Sequence, residues 1–325
     1  MLVINEIDAV PKLHHTALSF CLYLFKTNIM KRLAYLFLTV LIVACSGEDG
    51  NNQDNNDGDN TLLICNGDNP VYLADNGITI KACEDANVGD TGVINGVTYT
   101  VVDRFMLRQM IDNEQDVTKV ATSKVNNMEG MIEDIKGFNQ DISNWDVSNV
   151  TNMEFMFNFA TSFNRSLSYW DVSNVTNMGA MFYNASSFNQ PIGNWDVSNV
   201  TDMTGMFGYA YNFNQDISNW NVSNVTNISI MFANTPFNQP IGNWDVSNVV
   251  FMSNLFRDNV TFNQAIGNWD VSNVTWMVAM FNGASSFNED LSGWNVDGVT
   301  ECGSFSNGAT SWTLPQPNFA NCDPN

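Results

Sequence analysis

The chain has 325 residues, 44% hydrophobic and 14% charged, so it can bury a sizeable core and is not disordered overall. Its 34 acidic residues outnumber its 12 basic residues, which argues against nucleic acid as a partner because phosphate binding needs a basic face. The only histidines, His14 and His15, precede a predicted export signal. Removal of that signal leaves no imidazole for Ser-His or Cys-His catalysis or for a histidine metal site, so we expect neither metal nor cofactor.

The N-terminal region contains a segment typical of a lipoprotein signal peptide. Residues 1–29 show no clear pattern and are interpreted as a mis-assigned upstream extension, with Met30 as the true start. A short basic head then precedes an apolar run at 33–43, which is too short to span a membrane. The sequence Ile-Val-Ala-Cys that ends at Cys45 resembles a bacterial lipobox, so residues 30–45 are predicted to be a signal peptide with lipidation at Cys45. The alternative is an ordinary signal peptide and a secreted chain.

Residues 46–60 are predicted to be an acidic, flexible tether. They consist mostly of Glu, Asp, Asn, Gln and Gly, a composition that cannot bury enough apolar surface to fold. An acidic stretch directly after a lipidated cysteine also resembles the signal that places bacterial lipoproteins on the outer face of the outer membrane. We therefore expect an exported protein, anchored in the outer membrane and exposed at the cell surface.

Residues 61–114 are predicted to form a β-rich subdomain that caps the region after it. Its β-rich runs lie at 71–73, 78–80, 93–94 and 97–102. Asn95-Gly96, between two of these runs, predicts a hairpin with a two-residue loop. Asp103 is expected to cap a helix that follows directly.

Residues 115–312 repeat a unit of 25 residues. Tryptophans mark its copies at Trp145, Trp170, Trp195, Trp220, Trp244, Trp269 and Trp294, and only the step from 220 to 244 is one residue short. A fixed period of this length indicates a solenoid, in which each coil buries its apolar face against its neighbours.

Each coil is predicted to supply one short parallel β-strand and one helical turn. The half around Ile142 and Trp145 suits a strand and turn, whereas Val150, Met153 and Met156 have the spacing of a helical turn with one buried face. The asparagine after each phenylalanine and the asparagine before each Val-Thr pair are expected to hydrogen-bond along the stack.

Residues 313–325 are predicted to be a C-terminal cap or tail. Four cysteines remain after the leader and anchor, namely Cys65, Cys83, Cys302 and Cys322. An even number in an exported chain favours disulfides. Pairing Cys65 with Cys83 and Cys302 with Cys322 is the simplest of three connectivities, and each bridge would then staple one end of the array.

The repeats resemble those of the BspA-like leucine-rich-repeat surface proteins of bacteria. Residues 138–157 read Phe-Asn-Gln-Asp-Ile-Ser-Asn-Trp-Asp-Val-Ser-Asn-Val-Thr-Asn-Met-Glu-Phe-Met-Phe, and the resemblance covers about residues 115 to 312. It implies a leucine-rich-repeat-like solenoid on an exported or surface-attached protein, with adhesion or protein binding and no catalytic residues to transfer. Asn221 and Asn295 depart from the motif by replacing the aspartate after tryptophan, and Val250 replaces its threonine.

Positions that differ between copies are where a specific binding surface can be encoded. Phe251 and Trp276 occupy, in adjacent coils, the column that Asn152, Asn177, Asp202 and Asn227 hold in earlier coils. Aromatic and arginine side chains are the usual energetic centres of interfaces. The candidate binding ridge therefore comprises Phe251, Trp276, Phe159, Tyr183, Tyr209, Tyr211, Arg165 and Arg257. The alternative is that these side chains pack locally onto the next coil.

The sequence predicts a non-enzymatic surface protein that acts as a binding or adhesion scaffold for an extracellular protein or glycan. One alternative is a structural surface-layer spacer without a specific ligand. Another is a glycan hydrolase that uses a carboxylate pair such as Asp141 and Asp146. Both of these carboxylates recur in other coils, which counts against a single catalytic site.

Overall fold

A computed structural model describes residues 69–325 of the chain. The predicted signal peptide, the lipidated Cys45, the tether and Cys65 lie outside the described residues. Within residues 69–325, no helix is long and apolar enough to cross a membrane.

The N-terminal part of the described chain consists of two small sheets and one helix. The strands are β1 (Val71–Leu73), β2 (Ile80–Ala82), β3 (Thr91–Ile94), β4 (Val97–Val101) and β5 (Val120–Ala121), and the helix is α1 (Arg104–Asp112). Strands β1 and β2 pair antiparallel. Strands β3, β4 and β5 form a second sheet, in which β3 pairs antiparallel and β5 pairs parallel with β4.

The predicted hairpin and helix cap are confirmed. Asn95 and Gly96 connect β3 to β4 with φ angles of 51° and 78°, the left-handed values that a two-residue hairpin loop requires. The Asp103 side chain accepts a hydrogen bond from the Met106 amide at 2.8 Å, so it caps α1. The run predicted at 78–80 differs, because β2 begins only at Ile80.

The repeats stack on one another in sequence order. In each repeat, eight consecutive residues make most of the backbone hydrogen bonds to the next repeat, and we call them the ladder segment: 127–134, 152–159, 177–184, 202–209, 227–234, 251–258, 276–283 and 301–308. A parallel bridge joins the first residue of each ladder segment to the first residue of the next. The second, fourth, sixth and eighth residues donate their N–H groups to carbonyls of the following segment at 2.7–3.1 Å.

All of these ladder bonds point the same way. At each of the seven interfaces the four N–H groups belong to the earlier repeat and the four carbonyls to the later repeat. The ladder segments are therefore polar: the first one presents carbonyls to whatever precedes it, and the last one presents N–H groups. Just before each segment, a backbone bond runs the other way, such as that from the Thr176 amide to the Thr151 carbonyl at 2.9 Å.

The predicted strand and helical turn of each repeat are replaced by a single bridge residue and a series of turns. The cause is the backbone of the fourth and eighth ladder residues, which has positive φ in every repeat, including Phe155, Ala180 and Ile230. A left-handed residue cannot continue a right-handed helix, so alternate N–H groups turn outward to the next repeat. The amides between them, such as that of Met156, bond three residues back.

The core is a set of stacked columns of large side chains. The repeat tryptophans are at most 5% exposed, and each donates its indole N–H to a backbone carbonyl of the preceding repeat. Phe207 is fully buried, and its ring lies 3.8 Å from that of Phe213 and 5.7 Å from that of Phe182 in the preceding repeat. Stacking between repeats thus buries what a single repeat would expose.

Both predicted asparagine ladders are present. The side-chain oxygen of Asn139 accepts from the Asn164 amide at 3.0 Å, and the copies continue the same pattern to Asn288. In the second ladder, Asn174 donates its amide to the Ser148 carbonyl at 2.7 Å, and its copies do likewise. These amides satisfy backbone groups at the corners between repeats.

Candidate functional site

Phe251 and Trp276 form an exposed aromatic pair on adjacent repeats. They are the first residues of neighbouring ladder segments and are joined by a parallel bridge. Their ring centroids lie 5.8 Å apart in a T-shaped arrangement, and the side chains are 36% and 49% exposed. The sequence prediction that these two aromatics lie side by side is confirmed.

The pair occupies a column that otherwise has a structural task. In earlier repeats, the Asn or Asp at this position accepts the N–H of the residue two places on, for example from Glu154 to Asn152 at 2.9 Å. Phe251 and Trp276 cannot accept that bond, and the buried hydroxyl of Ser253 beside them has no partner among the described residues. At these two positions the local side-chain hydrogen bond is therefore absent, and apolar surface is exposed.

A second aromatic group crosses three other repeats, and we call it the tyrosine track: Phe159, Tyr183, Tyr209 and Tyr211. Successive ring centroids lie 5.8, 5.3 and 6.3 Å apart. Tyr211 is 54% exposed, and the other three rings are half-buried. Burial raises the pKa of the Tyr183 phenol, which therefore keeps its proton at neutral pH.

The candidate ridge is therefore two groups of rings, because no ring contact joins the tyrosine track to the Phe251–Trp276 pair within residues 69–325. Arg165 donates to the Asn139 carbonyl at 2.8 Å, which is a contact between repeats. Arg257 forms an exposed ion pair with its neighbour Asp258 at 3.4 Å. Neither arginine contacts an aromatic ring of the ridge.

The carboxylates considered for hydrolysis have structural contacts. Asp146 is 4% exposed, accepts bonds from Ser123 and Ser148, and lies 3.7 Å from the Lys81 ammonium of β2. Asp141 is exposed and accepts the Ser143 amide at 3.1 Å. Asp146 thus joins the N-terminal sheets to the first complete repeat.

Seven other carboxylates between residues 127 and 308 have a shifted pKa, and they form two groups by the direction of the shift. Hydrogen bonds from serines two residues on lower the pKa of five aspartates below its usual value: Asp196, Asp216, Asp245, Asp270 and Asp290. Burial instead raises the pKa of Glu133 and Glu154. Among residues 69–325, no group of three or more Asp, Glu, Cys or His residues could hold a metal ion.

The predicted C-terminal disulfide between Cys302 and Cys322 is confirmed, with a Cα–Cα distance of 5.9 Å. Cys83 is also disulfide-bonded, whereas Cys65 lies outside the described residues.

Two arginines with a clear structural task escaped the sequence analysis. Arg104 of α1 donates to the carbonyl of Glu129 at 2.6 Å and to the carbonyl of Asn127 at 3.4 Å. Arg108 donates to the carbonyl of Gly130 at 2.7 Å and to that of Met131 at 3.3 Å. The carbonyls of Asn127, Glu129 and Met131 decide the role of these arginines. These are the carbonyls that later repeats offer to a preceding repeat, so the two guanidinium groups cap the first ladder segment. The spacing of four residues on one predicted helix was the available signal.

Comparison with known families places these repeats in one of them. Three overlapping stretches, 103–220, 165–249 and 208–319, match the family described as Mycoplasma protein of unknown function, DUF285. Together they span residues 103–319, which is 217 of 325 residues. The chain belongs to the DUF285 family. No curated protein and no solved structure matches the chain significantly.

The DUF285 match covers more than the tryptophan repeats. It begins at Asp103, the residue that caps α1, and ends at Phe319 in the C-terminal tail. The helix with the two capping arginines and the ring-packed part of the tail thus fall inside the DUF285 region. The Phe251–Trp276 pair and the tyrosine track lie within it as well.

Proposed function

We propose that this DUF285 protein is a non-enzymatic, cell-surface lipoprotein that acts as a binding or adhesion scaffold. In this proposal the stacked repeats form a leucine-rich-repeat-like solenoid, and a lipid on Cys45 anchors the chain in the outer membrane. The ligand is an extracellular protein or glycan that contacts exposed aromatic side chains on the repeats. The described residues offer a long surface for such contacts.

The Phe251–Trp276 pair is the observation that carries the proposal. Two large aromatics stand where the repeat otherwise places a hydrogen-bonding Asn or Asp, and each leaves more than a third of its surface in water. Local packing would bury these rings, so their exposure is explained better by a partner. Aromatic anchors on adjacent repeats are the kind of residue that dominates binding energies.

The two alternatives make different demands on the molecule. A structural spacer would need no exposed aromatic pair and would bind no ligand saturably. A carboxylate hydrolase would need two free carboxyl groups at one place, whereas Asp146 is buried among Ser123, Ser148 and Lys81. The contacts of Asp146 therefore favour the binding scaffold over the hydrolase.

A double substitution, Phe251→Asn with Trp276→Asn, tests the binding surface. It returns the column to the residue of the other repeats, so the local hydrogen bonds can form and the thermal midpoint should hold or rise. Binding to immobilised extracellular proteins and glycans should fall at least about tenfold, since two anchors are lost. Val260→Asn, which removes another exposed apolar side chain, serves as the matched control. Equal binding by wild type and the double variant would exclude this surface.

Surface exposure is tested on intact cells. We expect wild type to incorporate a lipid label and to be cleaved by protease added outside the cells. Cys45→Ala should lose the label and appear in the medium. A labelled protein that is fully protected from protease would contradict the adhesion function.

A further inference from the structure

The tyrosine track has the chemistry of a site for an uncharged ligand. Residues 158–161, 183–186, 208–211 and 233–236 carry the track and its surroundings, and none of them is charged. This is unusual in a chain whose formal net charge is −22. Charged side chains border the track in the flanking repeats, where Glu133 accepts a hydrogen bond from the Asn158 amide at 3.0 Å and Arg257 and Asp258 follow Asn234 in the stack. The track itself offers ring faces, hydroxyls and amides to a ligand.

The polar groups at the track have no protein partner. None of the three tyrosine hydroxyls forms a hydrogen bond with another residue in the described part of the chain. The side-chain amides of Asn184 and Asn234, which hold the same ladder position as Tyr209 in the repeats before and after it, are equally unpaired within residues 69–325. Hydroxyls and amides that are free of the protein can bond a ligand at once.

The backbone makes room for the central ring. A Cβ atom at Gly208 would lie 3.0 Å from Cδ2 of Tyr183, and one at Gly205 would lie 3.4 Å from the same atom. The Tyr183 ring therefore rests against two glycines of the next repeat, where other repeats carry larger side chains such as Ile230 and Arg257. These contacts keep the Tyr183 ring close to the backbone of the next repeat, whereas Tyr211 is exposed.

The track runs along the stack. Phe159, Tyr183 and Tyr209 come from three successive repeats, and their ring centroids are 5.8 and 5.3 Å apart. These steps are comparable to the length of one sugar unit in an extended chain. Successive rings are tilted by 54°, so they present both edges and faces along the stack, and an extended polymer that follows the stack can contact several of them in turn.

We propose that the tyrosine track binds an extended, uncharged polysaccharide, with tyrosine rings against the C–H faces of the sugars and the phenol and amide groups bonded to their hydroxyls. Aromatic rings with a polar edge suit this double task. A protein partner would be expected to find a charged or arginine anchor as well, which the four stretches lack. The proposal extends the binding function to a second surface and does not depend on Phe251 or Trp276.

Affinity electrophoresis in native gels containing soluble glucan, mannan or xylan tests the proposal, with polygalacturonate as the anionic control. We expect at least one neutral polysaccharide to retard the full-length protein and polygalacturonate to leave it unretarded. Tyr211→Ala should weaken retardation about tenfold, because it removes the most exposed ring of the track. Tyr169→Ala removes a ring that is 49% exposed and lies outside the track, and it should behave as wild type.

Two further variants separate this proposal from the function proposed above. Tyr211→Phe keeps the ring and removes the hydroxyl, so it should retain most of the retardation if ring stacking dominates. The double variant Phe251→Asn with Trp276→Asn should be retarded as wild type. If the double variant is no longer retarded while Tyr211→Ala is retarded as wild type, the polysaccharide binds at the Phe251–Trp276 pair. That result would contradict the tyrosine track as the binding site and support the first surface. No retardation by any neutral polysaccharide, or retardation by polygalacturonate alone, would also overturn the proposal.

Discussion

The two ends of the repeat array are closed by different chemistry. At the N-terminal end, Arg104 and Arg108 of α1 donate to the carbonyls of the first ladder segment. At the C-terminal end, a tail crosses the last repeat, where the Phe305 amide donates to the Pro324 carbonyl at 2.9 Å and Cys302 is bonded to Cys322. The N-terminal end is thus closed by cationic side chains, and the C-terminal end is closed by a disulfide bond.

The polarity of the ladder explains this difference. Every ladder bond runs from an earlier N–H group to a later carbonyl, so the first segment leaves carbonyls without a donor. Guanidinium groups suit that end, as basic side chains suit the C-terminus of a helix. The last segment instead has N–H groups without an acceptor in the described part of the chain. The amides of Cys302, Ser304, Ser306 and Gly308 donate to no residue within 69–325, and the tail covers this end through its disulfide and apolar contacts instead.

Breaking the disulfide should have the largest effect. A variant with Cys302→Ala and Cys322→Ala removes a crosslink between residues 20 apart and should lower the free energy of unfolding by about 3 kcal/mol. Hydrogen exchange should accelerate for the amides of Met277, Ala279 and Phe281, which bond to the last segment. The amides of Met128 and Gly130 at the far end are the internal control. Equal acceleration at both ends would contradict separate caps.

Removing the arginines should affect only the opposite end. We expect Arg104→Met with Arg108→Met to cost about 2 kcal/mol, because several charge-assisted bonds to carbonyls are lost while the apolar stems remain. Exchange of the Met128 and Gly130 amides should rise, with the last repeats unchanged. Arg257→Met is the matched control, since that exposed guanidinium pairs with its neighbour Asp258. Unaltered exchange at Met128 would refute the capping role.

Replacing a ladder residue that has positive φ by glycine tests whether the left-handed backbone of the ladder costs stability. Ala180 has φ of 50°, and its amide donates to the next repeat at 2.7 Å. Ala180→Gly should raise the free energy of unfolding by up to about 1 kcal/mol, because glycine adopts this conformation without steric cost. Ala185→Gly, at a fully buried position without positive φ, should instead be destabilising. Urea unfolding of the two variants decides, and equal losses would argue against backbone strain at Ala180.

Acidification should produce the smallest effect. Hydrogen bonds from Thr118 and Lys119 lower the pKa of Asp116, beside the N-terminal cap, from 3.8 to about 2. Its carboxylate therefore adds stability above pH 3.8, and that contribution is lost as the pH falls through about 2. We expect the urea midpoint of Asp116→Asn to change less than that of wild type between pH 5 and pH 2. Parallel pH profiles for the two proteins would show that Asp116 does not contribute.

The sequence predicted features that depend on local pattern or on exact repetition. The Asn95-Gly96 loop and the Asp103 cap follow from neighbouring residues. The pairing of Cys302 with Cys322 follows from their closeness at one end of the array. The asparagine ladders were predictable because the same side chain recurs at a fixed period and so meets the same backbone group of the neighbouring repeat each time.

Other features could not be predicted from the sequence, because they depend on how neighbouring repeats are placed against each other. Phe155, Ala180 and Ile230 have no preference for positive φ, so nothing local announced that the predicted helical turn would open into a ladder. The candidate ridge separated into two groups because its members occupy different columns: Phe251 and Trp276 are the first residues of their ladder segments, whereas Phe159, Tyr183 and Tyr209 are the seventh or eighth residues of earlier segments.

The sequence by itself determined the period and the buried residues of the array, because repetition and apolar spacing are properties of the chain alone. Only the tertiary structure decided which way the backbone N–H groups point, which groups cap each end and which aromatics meet. Those properties depend on contacts between residues about one repeat apart, where the stacked neighbour, and not the local sequence, sets the backbone conformation.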